Sequence, residues 1–374
     1  MNLENQWAAT EELLERQADS LGELLVQLRG RISPVLIGDP EWERLLERAH
    51  PMPATMAAFP FGFELPLHEA RPKVDLGVSL YGGSRSAAFF AERGQSEDAN
   101  PSMARIAWLL DQTRLKESPL RRVAGRKMLL EYDVPLTECD AFPDPGIFLY
   151  PDEGVLVGDR SDQRLQDLGV VVDAVVSGAG WNLDPAECRQ VERVYLAMEP
   201  DTSIRAVGAF PSRSRAIRLA ITGFRKTSDV MAFLERAGWP GQGSMVASIV
   251  SPLEEHKAFA YLGVHFDVLA GGAGPTLGLS FYAQEGQWLK DFQPWTSLME
   301  GIHAAGFAVP EKLSALADSS CGAEALFGKS DIMMLLRGIH HIKLVLTGEA
   351  VEQVKAYTFF WMRRVQPLGG NPAG

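Results

Sequence analysis

The stretch RAIRLAITG, residues 215–223, decides the fold: Ile217, Leu219 and Ile221 share one face, while Arg218, Ala220 and Thr222 share the other. A period of two belongs to a β-strand lying between an apolar layer and something polar. The same pattern recurs along the chain. TLGLSFY (276–282) sets Leu277, Leu279 and Phe281 against Thr276, Gly278, Ser280 and Tyr282. HIKLVLT (341–347) sets Ile342, Leu344 and Leu346 against His341, Lys343, Val345 and Thr347. VDLGVSLY (74–81) sets Val74, Leu76, Val78 and Leu80 against Asp75, Gly77, Ser79 and Tyr81. A face open to bulk water is rich in Lys, Glu and Thr; these polar faces carry Gly, Ser, Ala and Tyr with isolated charges. A closed antiparallel barrel with helices outside and a polar lumen satisfies both faces and removes free edges. An open sheet with helices on one side is the alternative.

Outward from these stretches the chain reads as pairs of strands followed by helices. VDLGVSLY pairs with SRSAAFFAE (84–92) across Gly82-Gly83, and RKMLLEYDV (126–134) with GIFLYP (146–151). SIRAVGAF (203–210) pairs with RAIRLAITGF (215–224), and YLGVHFDVLA (261–270) with TLGLSFYA (276–283) across GGAGP. Short Gly-rich links between alternating strands signal hairpins, so an antiparallel sheet is expected. Helical spacing marks residues 4–30, with Leu13, Leu14, Leu21, Leu24, Leu25 and Leu28 on one broad face, and VMAFLERAG (230–238). The last strand, GIHHIKLVLTG (338–348), is followed by EAVEQVKAYTFFWMRR (349–364), which reads as helix; HPMPATMAAFPFGFELP (50–66) reads as a Pro-rich connector. The expected organisation is a helical segment over 1–50 and an α+β barrel of repeated αββα units over 51–374.

Composition narrows the function classes. The 374 residues are 46% hydrophobic and 22% charged, which is globular rather than disordered, and a net charge of −12 argues against nucleic acid as partner. No apolar run approaches the ~20 residues that span a bilayer. Cys139, Cys188 and Cys321 are odd in number and far apart, without a CxxC pair, so neither a disulfide framework nor structural zinc is expected. The acidic, amphipathic N-terminus lacks a secretory pattern, and a cytoplasmic location is expected.

The segments KVDLG (73–77) with GSRSAAFF (83–90), SRAIRLAITGF (214–224), LGVHFDVLAGGAGPTLGLSFYAQE (262–285) and IHHIKLVL (339–346) resemble the ABBA prenyltransferases, in wording most like the peptide prenyltransferases of cyanobactin pathways. The resemblance spans about residues 70–350. It implies a barrel whose interior basic and tyrosine side chains hold an allylic diphosphate while an acidic residue contacts the acceptor. On that basis Asp75 falls at the acid's position, and Arg85, Arg218, Lys343 and Tyr282 at those of diphosphate ligands. Thr222 departs from the pattern, standing where a further cation or aromatic is expected.

Residue chemistry supports the same roles. Ionising an allylic diphosphate separates a leaving anion, which Lys and Arg stabilise in a water-poor cavity, from a cationic fragment, which aromatic faces stabilise. Tyr81, Phe148, Tyr150 and Tyr282 are candidates for the second task, and Asp75 or Glu131 for removing the acceptor's proton. The structural counter-readings are a paired or surface ion for Arg218 and Lys343, a turn residue for Asp75, a solvated strand edge for Glu131 and Asp133, and an amphipathic barrel residue for Tyr282. The expected partners are an allylic diphosphate and a peptide or small aromatic acceptor. A non-catalytic barrel holding a ligand or peptide is the rival reading.

Other motifs carry less. Residues 323–330 (AEALFGKS) fit a loose phosphate-loop pattern, but the preceding LSALADSSCG reads as helix plus turn and AEALF favours helix, so the required strand and Gly-rich loop are missing. His265-x-Asp267 shares one strand face, whereas His340 and His341, as neighbours, should point apart; no third ligand is implied. No tightly bound cofactor is expected, only a magnesium held loosely with the diphosphate. Cys188 reads as inert helix packing, and no serine sits in a nucleophile elbow.

Overall fold

The computed structural model describes residues 3–96, 100–135, 142–283, 293–319, 322–329, 331–347 and 350–364. The alternating stretches form strands: β1 (Phe61–Pro66), β2 (Asp75–Tyr81), β3 (Lys127–Tyr132), β4 (Gly146–Leu149), β5 (Ser203–Ala209) and β6 (Ile217–Phe224). They continue as β7 (Tyr261–Leu269), β8 (Gly272–Tyr282), β9 (Gly322–Phe327), β10 (Ile332–Thr347) and β11 (Ala350–Arg364). All pair antiparallel, in the order β1-β2-β3-β4-β5-β6-β7-β8-β10-β11, and β11 closes on β1. The result is a closed ten-stranded barrel. β9 pairs with the first half of β10, outside the ring.

Twelve α-helices are described: α1 (Leu3–Gln17), α2 (Leu21–Leu28), α3 (Asp39–Ala49), α4 (Arg85–Gly94), α5 (Pro101–Arg114) and α6 (Pro119–Ala124), then α7 (Asp162–Gly178), α8 (Pro185–Leu196), α9 (Thr227–Ala237), α10 (Gly243–Glu255), α11 (Gln293–Ala304) and α12 (Pro310–Ser319). The apolar strand faces read from the sequence all point to this outer layer. Leu76, Val78, Leu80, Ile217, Leu219, Ile221, Leu277, Leu279, Phe281, Ile342, Leu344 and Leu346 are buried in one core with Val171 and Val175 of α7 and Phe233 of α9. Leu13, Leu14, Leu21, Leu24, Leu25 and Leu28 join that same core. No described helix is long and apolar enough to cross a membrane.

Five segments differ from their sequence reading. The 4–30 helix is broken into α1 and α2, because the Ser20 hydroxyl accepts the Glu23 amide at 3.2 Å and caps a new helix. SRSAAFFAE is helix α4, not a strand: Ser84 caps it through the Ala87 amide at 3.1 Å. The connector over 50–66 contains β1, whose Phe61, Phe63 and Leu65 face the core while Gly62 and Glu64 face inward. Within the pattern read as helix, Ala350–Arg364 form strand β11, and AEALF lies in strand β9. Both carry helix formers, but pairing on the two edges of β10 overrides that weak preference. Cys139, Cys321 and Ser330 lie outside the described residues.

Candidate functional site

Register places the inward side chains in rows. One row runs Tyr261–Tyr282–His341–Tyr357–Glu64–Asp75 across β7, β8, β10, β11, β1 and β2. Its rings stack face to face: Tyr261 on Tyr282 at 4.5 Å, Tyr282 on His341 at 5.2 Å, and His341 on Tyr357 at 4.2 Å. The row beside it carries Ser280, Lys343 and Lys355. Across the lumen a third row runs Ser79–Leu129–Phe148–Gly208–Arg218–Asp267, and Glu131 sits between Gly77 and Gly146.

Charges meet in the enclosed space. Glu64 accepts from Lys355 Nζ at 2.6 Å and from the Tyr357 hydroxyl. Burial alone would raise its pKa, but the Lys355 and Lys343 ammonium groups hold it well below the usual carboxylate range. At Glu131 the balance is reversed: burial, then the Glu64 charge, outweigh Lys343 and Arg218 and push it up to about 7. Lys343 is pushed down to about 8 by burial, and its Nζ lies 4.5 Å from the centre of the Tyr357 ring. Arg218 is gripped by both oxygens of Asp267, at 2.8 and 2.9 Å. His265 bonds Ser280 Oγ at 3.0 Å, and burial pushes its pKa down, leaving the imidazole neutral.

The lumen opens to a cavity of about 630 Å³ lined by Arg71, Lys73, Asp75, Asp133, Arg213 and Lys355 among others. Asp75 Oδ1 accepts the Val134 amide at 2.9 Å, Lys73 lies 3.6 Å away, and burial with the Glu64 charge raises Asp75 to about 6. Arg213 pairs with Asp133 and lies 3.8 Å over the Phe210 ring. Beneath it lies a small apolar cluster edged by further cations, with Arg218 4.9 Å over the Phe210 ring and Lys127 4.6 Å over that of Tyr150. Phe148, Ala206, Phe210 and Ala220 form a cluster apart from the outer core, with Leu129 and Tyr150 against it.

Of the residues expected from sequence, Arg218, Lys343, Tyr282, Glu131, Phe148 and Tyr150 come together in the lumen, and Asp75 stands at its mouth. Arg85 does not belong. It is on α4, exposed, and paired with Glu12 and Glu15 of α1, because its segment is helix instead of strand. Tyr81 is drawn aside at the end of β2, stacked on Phe59 at 4.6 Å and against Trp7 at 4.4 Å. Thr222, where a cation or aromatic was expected, faces inward beside Gly263. Glu64, Lys355 and Tyr357 were missed because β1 and β11 were misread. The signals were present: Glu64 sits between Phe63 and Leu65 in an alternation begun at Phe61, and Lys355 sits between buried Val354 and Ala356.

His340 and His341 also depart from expectation. A β-bulge between Ile339 and His341 turns both rings the same way, and their Nδ1 atoms are 2.7 Å apart. Among the described residues, no group of three or more His, Cys, Asp and Glu side chains is arranged to hold a metal ion. Cys188 on α8 is a free thiol whose pKa is raised by burial and by Glu192, the opposite of nucleophile activation. Lys329 of the loose phosphate-loop stretch pairs with Glu23 at 3.3 Å, and a strand stands where that loop's helix would begin.

No protein-family profile matches the chain, and no curated protein matches it. The solved structures similar to it are ABBA-type prenyltransferases. AnaPT from Neosartorya fischeri is 11% identical, with a TM-score of 0.49 over 81% of this chain and 78% of that one. A 6-dimethylallyl tryptophan synthase is 13% identical, with a TM-score of 0.49 over 93% and 99%. The apo form of the prenyltransferase PriB is 13% identical, with a TM-score of 0.48 over 93% and 98%.

Proposed function

We propose that this protein is a transferase that moves a prenyl group from an allylic diphosphate to a peptide side chain or small aromatic acceptor. The observation that carries the reading is an inward face with two kinds of surface: Lys343 and Lys355 beside a row of stacked rings, and across from them a small apolar cluster edged by Arg218. An allylic diphosphate has the same two halves. In the reaction the allylic C–O bond breaks and its electron pair leaves with diphosphate. Lys343 and Lys355 would stabilise the departing charge, fixed in place instead of being recruited from solvent. The face of Phe148 would stabilise the cationic carbon without attacking it, since the faces of Tyr282 and Tyr357 are taken up within their own stacked row. The acceptor's electron pair forms the new bond, and its proton passes to a carboxylate. Glu131 suits that step, since a base works best with a pKa near the working pH. A magnesium ion, where recruited, would arrive with the diphosphate and keep its own waters.

One observation favours the rival reading, a binding barrel without catalysis. Arg218 and Lys355 are already held by Asp267 and Glu64, so much of the interior charge is balanced without a ligand. Titration with dimethylallyl and geranyl diphosphate separates the two. Saturable binding that is lost in an Arg218→Ala/Lys343→Ala variant, with diphosphate released only when an indole or tyrosine-containing acceptor is added, supports the transferase. Failure to bind any allylic diphosphate leaves the binding barrel.

A further inference from the structure

The mouth of the barrel deepens the transferase reading and rests on it for the end from which the acceptor enters. β1 leaves the ring at Pro66 and β2 re-enters it at Asp75, and the loop between them supplies Glu69, Arg71 and Lys73 to the cavity of about 630 Å³. That loop is pinned on two sides. On the outside, the fully buried Lys312 of α12 donates from Nζ to the carbonyls of Pro66 at 2.8 Å and Arg71 at 2.7 Å, and the Val309 amide donates to the Leu67 carbonyl at 2.8 Å. On the barrel side, the Leu67 amide donates to the Val354 carbonyl of β11 at 2.7 Å. Burying an ammonium is costly unless its donors are satisfied, and here it satisfies them by fixing the backbone from which the Arg71 side chain departs.

The other charges around the cavity are matched. Arg213 holds Asp133, Lys73 lies 3.6 Å from Asp75, and Lys355 holds Glu64. Burial pushes the Lys312 pKa down and the Glu69 charge opposes it, so Glu69 answers Lys312. Arg71 is left over. It is exposed and lines the cavity, and its guanidinium makes no hydrogen bond or ion pair with any described residue. A guanidinium stays charged at any working pH and presents two parallel donors that match one carboxylate. From Asp75 the strand leads inward: Gly77, about 7 Å further on, is the cross-strand partner of Glu131.

We infer that Arg71 receives a carboxylate of the acceptor, so that the acceptor is an aromatic compound carrying a free carboxylate, as a free amino acid or as the C-terminus of a linear peptide. The charged end stays at the mouth while the ring points inward toward Glu131. Amidated and cyclic counterparts lack the group that Arg71 holds.

The test is calorimetric titration of the full chain with tyrosine, tryptophan and the peptides Gly-Gly-Tyr and Gly-Gly-Trp, each as the free acid and as the C-terminal amide. Diphosphate release is then followed with the same acceptors and dimethylallyl or geranyl diphosphate. The acids should bind at least about tenfold tighter than their amides, the scale of one charge-assisted pair. Arg71→Ala should abolish that preference with donor affinity retained, and Arg71→Lys, which keeps the charge without the fork, should restore only part of it. A preference confined to the amino acids or to the peptides supports the site and tells which of the two it serves. Equal affinity for acids and amides, no binding of either, or a preference that survives Arg71→Ala overturns the carboxylate assignment; turnover of acids and amides alike would then leave the transferase reading standing. Acids preferred through Arg71 without diphosphate release from either donor overturns the transferase reading and leaves a carboxylate site at the mouth.

Discussion

Glu131 and Lys343 carry the sharpest pH prediction. In the proposed transfer Glu131 must be deprotonated to accept a proton, and burial beside Glu64 raises its pKa to about 7. Turnover should therefore fall as pH drops below that value, by about tenfold per pH unit. As the proposed diphosphate ligand Lys343 must be protonated, and burial lowers its pKa to about 8, so donor affinity should fall as pH rises through that value. A bell-shaped rate profile between the two limits is expected, and Glu131→Gln should remove the acid limb and lower kcat by about 10²–10⁴ with donor binding retained. A flat profile would exclude both assignments. Glu64 makes a different prediction. Lys355→Met leaves its buried carboxylate without its nearest cation, at a cost of roughly 3 kcal/mol in urea unfolding, and adding Glu64→Gln should recover most of the loss.

At the scale of elements, the cross-strand contact between Phe148 and Gly208 is one unit. Gly208→Ala places a Cβ where the ring now lies and should destabilise the barrel by about 1–3 kcal/mol; Phe148→Ala removes the clash, so the pair of substitutions should be strongly non-additive in thermal unfolding. Strand β11 closes the barrel. Ala356 is buried at its centre, paired with Ile342 on one side and Leu65 on the other. A proline there cannot donate to the ladder, and Ala356→Pro is expected to yield no folded barrel by circular dichroism and gel filtration. The same substitution at Ala325 on β9, which pairs with β10 alone, should be tolerated far better.

For the whole molecule, the buried leucines of α1 and α2 share one core with the barrel strands. Leu24→Ala should cost about 2–5 kcal/mol and shift a single calorimetric transition as a whole. Two transitions, only one of them displaced, would show that the N-terminal helices unfold independently of the barrel.

Period-two alternation in the sequence determined the strand faces, the antiparallel pairing and the closed barrel, because a side chain's face on a strand is fixed by its position alone. It also placed Arg218, Lys343, Tyr282 and Glu131 on inward faces. Position alone did not show which segments with mixed preferences become strands. EAVEQVKAYTFFWMRR and PFGFELP were committed by their partners, since a strand's stability lies in hydrogen bonds to residues hundreds of positions away, such as Glu64 opposite Tyr357. With those two strands came Glu64, Lys355 and Tyr357. Tertiary structure also decided that Arg85 serves α1 and that Arg218 is held by Asp267, because a charge's role depends on which opposite charge lies within reach, and only the folded chain sets that distance.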